Sequence, residues 1–318
     1  MYKNTAIIIG GTGQYGIILG NLLIKKNFNV IITGRNKKKI NILKKRYPKL
    51  NFLKLSIYNK KIIKNFLIKN KPSTLFYFAG QSSPSASFKM KKETVKSNFE
   101  GCKNFLDVIK NEDLNTKFFN AASSEMYGHV NKKIDLLTKK NPLSPYGYAK
   151  KKSFNIVKRY RDKFGMKNYN AIMFNTESNL RNKEFLIAKI CLGAINAYKN
   201  KEKINLNNIL VSREWNWCTE QCTILIKFIS KKPQDFILSN GRSYSIKQML
   251  KFAFEYFNLN YEDYIITKYK KLKKNEVKEK KSNFQKYFKI NRINFKSEIY
   301  GRKLIYKMIK DYLNDKEI

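Results

Sequence analysis

One histidine in 318 residues, His129, removes a group of mechanisms at once. A mechanism that needs a histidine base would rest on His129 alone and is not expected, and no multi-histidine metal site can form. Cysteine is scarce too. Of Cys102, Cys191, Cys218 and Cys222, only the last two are close, and Cys-x-x-x-Cys without a second ligand pair does not make a zinc site. All four are expected to be reduced, packed thiols, and no metal is expected. Long apolar runs are missing. The early run Ala6 to Ile9 is far too short to span a bilayer or act as a secretion signal, and no later run is long enough. The chain is therefore expected to be soluble and cytoplasmic, with no membrane partner. Acidic residues are few, 23 against 66 basic, which leaves a net charge of +43. Arginine, the residue best suited to bidentate contacts with phosphate and guanine, supplies only nine of those 66. The charge is thus mainly lysine, spread along the whole chain. Nonspecific, salt-sensitive polyanion binding follows from it, but no specific nucleic-acid partner. The densest tract, "KYKKLKKNEVKEKK" (268–281), reads as a solvated face.

What is present is a regular alternation. Apolar runs "TAIIIG" (5–10), "NVIITG" (29–34), "NFLKLS" (51–56), "TLFYFAG" (74–80), "KFFNAAS" (117–123) and "NAIMFN" (170–175) have strand length. Stretches of helical spacing separate them, including a long one over about 146–165. Such alternation indicates an α/β fold with a doubly wound parallel sheet. After Asn175 the pattern loosens into helices near 183–198, 221–229 and 245–257, a strand at "DFILSNG", and a C-terminal helix. Residues 1–175 are expected to bind a cofactor. Residues 176–318 are expected to form mainly a smaller, mixed substrate-binding region, some of it returning to the sheet.

The first strand runs into "GGTGQYG", where Gly10, Gly13 and Gly16 open a helix. Glycines there let the backbone approach a pyrophosphate, and the helix N-terminus faces its negative charge. At the end of the second strand, an acid would bond the ribose hydroxyl of NAD. Arg35 stands there instead, which fits the extra phosphate of NADP. Tyr146 and Lys150 are four apart in "SPYGYAKKK" and so share a helix face. A tyrosine titrates near ~10 in water. Acting as a base near neutrality requires roughly 4 kcal/mol of differential stabilisation. Lys150, an oxidised nicotinamide ring and exclusion of water could supply it together.

Gly-x-x-Gly-x-x-Gly, a strand ending in Ser, and Tyr-x-x-x-Lys together resemble an extended short-chain dehydrogenase/reductase with its Rossmann domain. Within that superfamily the GDP-mannose 4,6-dehydratase family is the most similar, through "GTGQYG", "AGQSS", "AASSEMYG", "SPYGYAK", "FNTES", "SREW" and "NEV". These stretches span about residues 5–280. The resemblance implies that Ser123, Glu125, Tyr146 and Lys150 are catalytic. It implies that Gly10, Thr12, Gly13, Gln14, Tyr15, Gly16, Arg35, Ala79, Tyr146 and Lys150 bind NADP. It places Gln81, Ser82, Asn175, Glu177, Arg181 and Arg213 against a nucleotide-sugar substrate, a GDP-hexose favoured, with Asn98 nearby. The implied reaction oxidises C4 of the sugar, removes water across C5 and C6, and returns hydrogen to C6. Dimers or tetramers are common in the family.

Some stretches depart from the family pattern. Where the family continues into Pro-Arg-Arg-Gly, this chain has "FNTESNLRN" and keeps only Arg181. "REWNWCTEQ" retains Arg213 and Trp215 but not the family's remainder, "KKNEV" lacks its proline, and Ser56 stands where an Asp is usual. Cofactor and catalytic motifs are better preserved than sugar-nucleotide contacts. An NADP-dependent nucleotide-sugar reductase or epimerase is the alternative, since it shares Tyr146 and Lys150 and needs no base at C5.

Overall fold

Ala6, Ile7, Ile8 and Ile9 are fully shielded from solvent. A strand covered on both faces has no polar side to alternate with. This one, β1 (Asn4–Ile9), lies inside a sheet of seven strands. The computed structural model describes residues 4–267 and 277–314. After β1 come α1 (Gln14–Ile24), β2 (Phe28–Gly34), α2 (Lys37–Arg46), β3 (Asn51–Lys54), α3 (Lys60–Asn70) and β4 (Thr74–Tyr77). Then follow α4 (Lys91–Val95), a π turn over Lys96–Glu100, α5 (Gly101–Asn111), β5 (Lys117–Ser123), α6 (Pro145–Phe164) and β6 (Asn168–Met173). The chain continues through β7 (Asn175–Glu177), α7 (Leu186–Asn200), β8 (Ile204–Leu206), β9 (Ser212–Trp217), α8 (Cys218–Phe228) and β10 (Asp235–Leu238). It ends with β11 (Ser243–Ser245), α9 (Ile246–Glu255), β12 (Ile265–Thr267), β13 (Glu279–Lys280), α10 (Phe284–Ile290) and α11 (Gly301–Asn314).

The large sheet has the order β10-β6-β5-β4-β1-β2-β3, and all its pairings are parallel. It is the doubly wound α/β sheet that the alternation predicts. Helices α1 and α8 cover one face through Leu19, Leu23, Leu225 and Phe228. The other face is covered by α3, α5 and α6 through Leu67, Phe105 and Val157. Burying each such side chain contributes roughly 1.5–3 kcal/mol. The order reverses between β1 and β4, which opens a crevice at the carboxyl edge where ligands of such sheets bind.

Residues after Asn175 divide between two places. β10 closes the large sheet beside β6, and α8 packs on α1. A polar ladder fixes that edge: Asn120 Nδ2 donates to Asn170 Oδ1 at 2.8 Å, and Asn170 Nδ2 donates to Asp235 Oδ1 at 2.9 Å. Arg161 of α6 pairs with the same Asp235 oxygen at 2.8 Å. β9 pairs with β11, β13 and β7 in a small sheet over a core from α7, α9 and α11, β8 pairs with β12 in a separate ribbon, and α10 packs beside β10. All four cysteines are buried and free. Among the described residues, no helix is long and apolar enough to cross a membrane.

Candidate active site

The glycine turn leads straight into α1. A Cβ on Gly16 would lie 1.9 Å from the Gly11 carbonyl oxygen, so only glycine lets the helix start this close to the turn. Gly13 has open space on its outer side, caps α1 without a side-chain bond, and is followed by no acid in the first turn. An anion therefore meets free helix N–H groups and no competing charge. Beside it lies a cavity of 300 Å³ lined by Gly10, Thr12, Arg35, Ala79 and Gln81, with Lys54 and Ser56. Turn, helix start and cavity together fit a dinucleotide. Two of the predicted contacts are turned inward. Gln14 donates to the Thr176 carbonyl at 2.8 Å and accepts from Ser178 at 2.7 Å. The Tyr15 hydroxyl donates to Thr176 Oγ1 at 2.8 Å, and its ring stacks on Phe78. Their side chains tie α1 to β7, leaving their backbone for a phosphate. The sequence shows no acid beside Arg35, but the fold brings one. Glu93 of α4 accepts from Arg35 Nη1 at 2.8 Å.

β5 carries the catalytic candidates to the same edge. Its last residue, Ser123, begins a tight turn over Ser124–Met126 and accepts a hydrogen bond from the Glu125 amide at 3.2 Å. The start of α6 is set by Ser144, whose hydroxyl accepts from the Gly147 amide at 3.1 Å, with Pro145 in the first turn. That places Tyr146 and Lys150 on the face toward β5. A Cβ on Gly147 would lie 2.4 Å from the Glu125 carbonyl oxygen, so α6 and the turn touch backbone to backbone. Ser123, Glu125 and Tyr146 act on one another: the Ser123 hydroxyl lowers the Tyr146 phenol and the Glu125 charge raises it.

The expected lowering of Tyr146 is not supplied by these side chains. Burial pushes Tyr146 up to about 12, against the lowering effect of Ser123 and, more weakly, Arg181. Lys150 does not turn to the phenol. Its ammonium donates to the Ala121 carbonyl at 2.7 Å and lies 5.7 Å from the Tyr146 ring centre. Burial lowers Lys150 from 10.5 to about 8. A lysine lowered on folding binds fewer protons in the folded chain between those two values. Stability therefore rises as pH climbs from about 8 towards 10.5. At ~1.36 kcal/mol per pH unit the gain is about 3 kcal/mol. Lys150→Met should lose that rise, which denaturant unfolding across the window would measure. An equal rise in parent and variant would overturn the assignment.

Glu125 has a partner that the residue pattern does not announce. The ammonium of Lys280, on β13, is 2.6 Å from Glu125 Oε1, and the lysine side chain is 3% exposed. The expectation of a solvated basic face over 268–281 is corrected here. Residues 268–276 lie outside the described residues, but Lys280 is buried because β13 pairs with β9 and turns it inward. Glu214, in "SREW", is a second residue the sequence reading missed. Its buried carboxylate accepts from Ser239, Ser282 and the Gly241 amide, pinning β9, the end of β10 and β13 together. No compositional signal marks Lys280 among 57 lysines.

The substrate-side residues are spread around this group. Gln81 Nε2 donates to the Ser83 carbonyl at 2.7 Å, and its buried Oε1 meets no donor among the described residues. Ser82 is exposed beside it. Asn98, in the π turn, donates to the Gln81 and Thr94 carbonyls, both at 2.9 Å. Asn175 holds β7 to β9 through its carbonyl, which accepts from Asn216 at 2.8 Å. Burial raises Glu177 to about 7, against the opposing charge of Arg181, whose Nε is 3.6 Å away. Arg181 also lies over the Phe185 ring at 3.6 Å. Arg213 donates to the Ser212 and Val277 carbonyls at 2.7 and 2.8 Å.

Comparison with known proteins adds to this geometry. A sequence model of the family described as GDP-mannose 4,6 dehydratase matches residues 7–299. "GDP-mannose 4,6 dehydratase 1" of Arabidopsis thaliana is 26% identical, over 98% of this chain and 90% of that protein. The Drosophila melanogaster "GDP-mannose 4,6 dehydratase" is 29% identical, over 80% of this chain and 68% of its own. Among solved structures, a Bacillus anthracis dTDP-glucose 4,6-dehydratase with NAD superposes with a TM-score of 0.83 at 16% identity, covering 99% and 98% of the two chains. RMD from Pseudomonas aeruginosa with NADPH gives 0.80 at 15%, covering 98% and 99%.

Proposed function

The chain belongs to the GDP-mannose 4,6-dehydratase family, and on that premise we propose that it converts GDP-mannose to GDP-4-keto-6-deoxymannose with NADP as its nicotinamide cofactor. The observation that carries this reading is Glu125, a carboxylate on the turn that also presents Ser123 and touches α6 beside Tyr146. Reduction or epimerisation at C4 needs no base at C5; dehydration does.

Tyr146 takes the proton of the C4 hydroxyl, and Ser123 holds that oxygen. A bound nicotinamide supplies removal of hydrogen at C4 and its return at C6, and the positive charge of its oxidised ring favours a phenolate at Tyr146. With C4 a ketone, the C5 proton is acidic, and Glu125 removes it. The same carboxyl then protonates the C6 oxygen as it leaves as water, and once hydrogen has returned to C6 the C5 carbon takes a proton from solvent, which balances the one Tyr146 gives up to restart the cycle. Lys150 is buried and Tyr146 is partly buried, which limits the access of bulk water to these transfers.

For the cofactor, Arg35 supports NADP over NAD, because the 2′-phosphate would replace Glu93 as its partner. Arg35→Ala should weaken NADP binding roughly tenfold, the scale of one charge-assisted hydrogen bond, and barely change NAD. Glu93→Gln should tighten NADP. Equal or tighter NAD binding by the unmodified protein would refute the preference. The activity itself is tested by incubation with GDP-, dTDP-, CDP- and UDP-hexoses plus NADP, read by mass for loss of water. Reduction of a 4-keto sugar without dehydration of any hexose would give the reductase reading instead.

A further inference from the structure

Burying a lysine requires a compensating partner. Lys280 is 3% exposed, and its ammonium has Glu125 at 2.6 Å. Its position is tightly built. The Lys278 carbonyl accepts from the Ser212 amide at 2.8 Å, and the Lys281 carbonyl accepts from the Ile134 amide at 2.7 Å. The Asn283 amide donates to the Ile134 carbonyl at 2.8 Å, while Ser282 is bonded to Glu214. One flank of Lys280 is therefore fixed to β9 and the other to Ile134 in the loop between β5 and α6, and the chain delivers it to one oxygen of one carboxylate.

We propose that Lys280 is a positioning residue that governs the proton traffic of Glu125, holding it as a carboxylate for attack on C5 and driving the captured proton on to the C6 oxygen. This rests on the dehydratase reading. In the step concerned, the C5–H pair enters the C4–C5 bond as an enolate, and the proton moves to Glu125. The enolate then expels the C6 oxygen, which takes the proton from Glu125 and leaves as water. Glu125 returns to a carboxylate, so no outside acid or base is consumed. Glu125 must be a base in the first half and an acid in the second. A fixed cation 2.6 Å away weakens it as a base and strengthens it as an acid. The charged and titratable groups acting on Glu125 and its partner are Lys280 from β13, Arg213 from β9 and Tyr146 from α6. Burial raises Glu125, but Lys280, with Arg213 behind it, holds it below the ordinary carboxylate range.

The test compares Lys280→Met, Lys280→Gln and Lys280→Arg with the parent in deuterated water, using GDP-mannose and NADP. Without the cation, Glu125 keeps hold of the C5 proton and releases it slowly to C6. The ratio of C5 deuterium exchange to water loss should rise about tenfold or more in the Met and Gln variants. The acid limb of the rate profile should move up by about one pH unit or more. Lys280→Arg should restore both. An unchanged ratio and limb in variants that fold, whatever the overall rate, would overturn the proposal. Isotope-edited infrared titration of the Glu125 carboxylate, assigned by its loss in Glu125→Gln, reads the same pair without turnover. If Lys280→Met does not fold, Lys280→Gln carries that measurement. An upward move of Glu125 in a protein that dehydrates no hexose would keep the pair and remove the dehydratase reading. Dehydration by the parent with no move of Glu125 would do the reverse.

Discussion

Glu125→Gln is expected to bind cofactor and substrate, oxidise C4, and stop. The amide keeps the shape of the carboxylate and can still accept the Lys280 hydrogen bond, but it cannot take a proton from C5. Loss of a positioned general base costs about 10²–10⁴ in rate. The variant should therefore accumulate the reduced nicotinamide absorbance, lose no water, and wash no solvent deuterium into C5. Near-normal formation of the 4-keto-6-deoxy product would make Glu125 a turn residue and the mechanism wrong. The unmodified protein should behave oppositely on each count, so the comparison does not depend on absolute activity.

Tyr146→Phe should stop the reaction one step earlier. Removing the hydroxyl leaves the C4 proton without an acceptor, and the loss should again be about 10²–10⁴. Here no reduced nicotinamide should appear in single turnover, which separates this variant from Glu125→Gln. Burial pushes Tyr146 up to about 12, so the protein's own side chains do not hold it as a phenolate near neutrality. Reduced nicotinamide forming at the parental rate in Tyr146→Phe would assign the first proton transfer to another group.

Much of this site can be read in the sequence because its parts sit where period changes. Gly10, Gly13 and Gly16 lie at the first strand–helix junction, Ser123 ends a buried strand, and Tyr146 opens a long helix. Each is found from local rules. The seven-stranded sheet follows likewise from runs such as Ala6 to Ile9, where continuous apolar residues betray a strand covered on both faces. The small sheet is illegible for the same reason in reverse. β7 and β11 have three residues and β13 has two, too few for any period to show. Lys280 and Glu93 are hidden differently. Their meaning lies in a partner far along the chain, Glu125 for one and Arg35 for the other. Lys150 is legible from its spacing to Tyr146, but its carbonyl acceptor on Ala121 depends on how α6 meets β5, which spacing does not encode.

The ion pair between Glu125 and Lys280 also makes the reaction centre depend on completion of the small sheet. The strands from β1 to β6 need α8 and β10 to cover and close their sheet, and each parallel pairing joins distant segments and is slow to form. The Glu125 partner is held in place only by β13, which pairs with β9 and is tied through Ser282 to Glu214, together with Ser239 and Gly241. A refolding chain should therefore regain turnover only when β13 has docked on β9, whatever the state of its nucleotide cleft. A molecule with the large sheet closed and β13 undocked would hold cofactor yet have no finished site, and cofactor fluorescence would return in it without turnover.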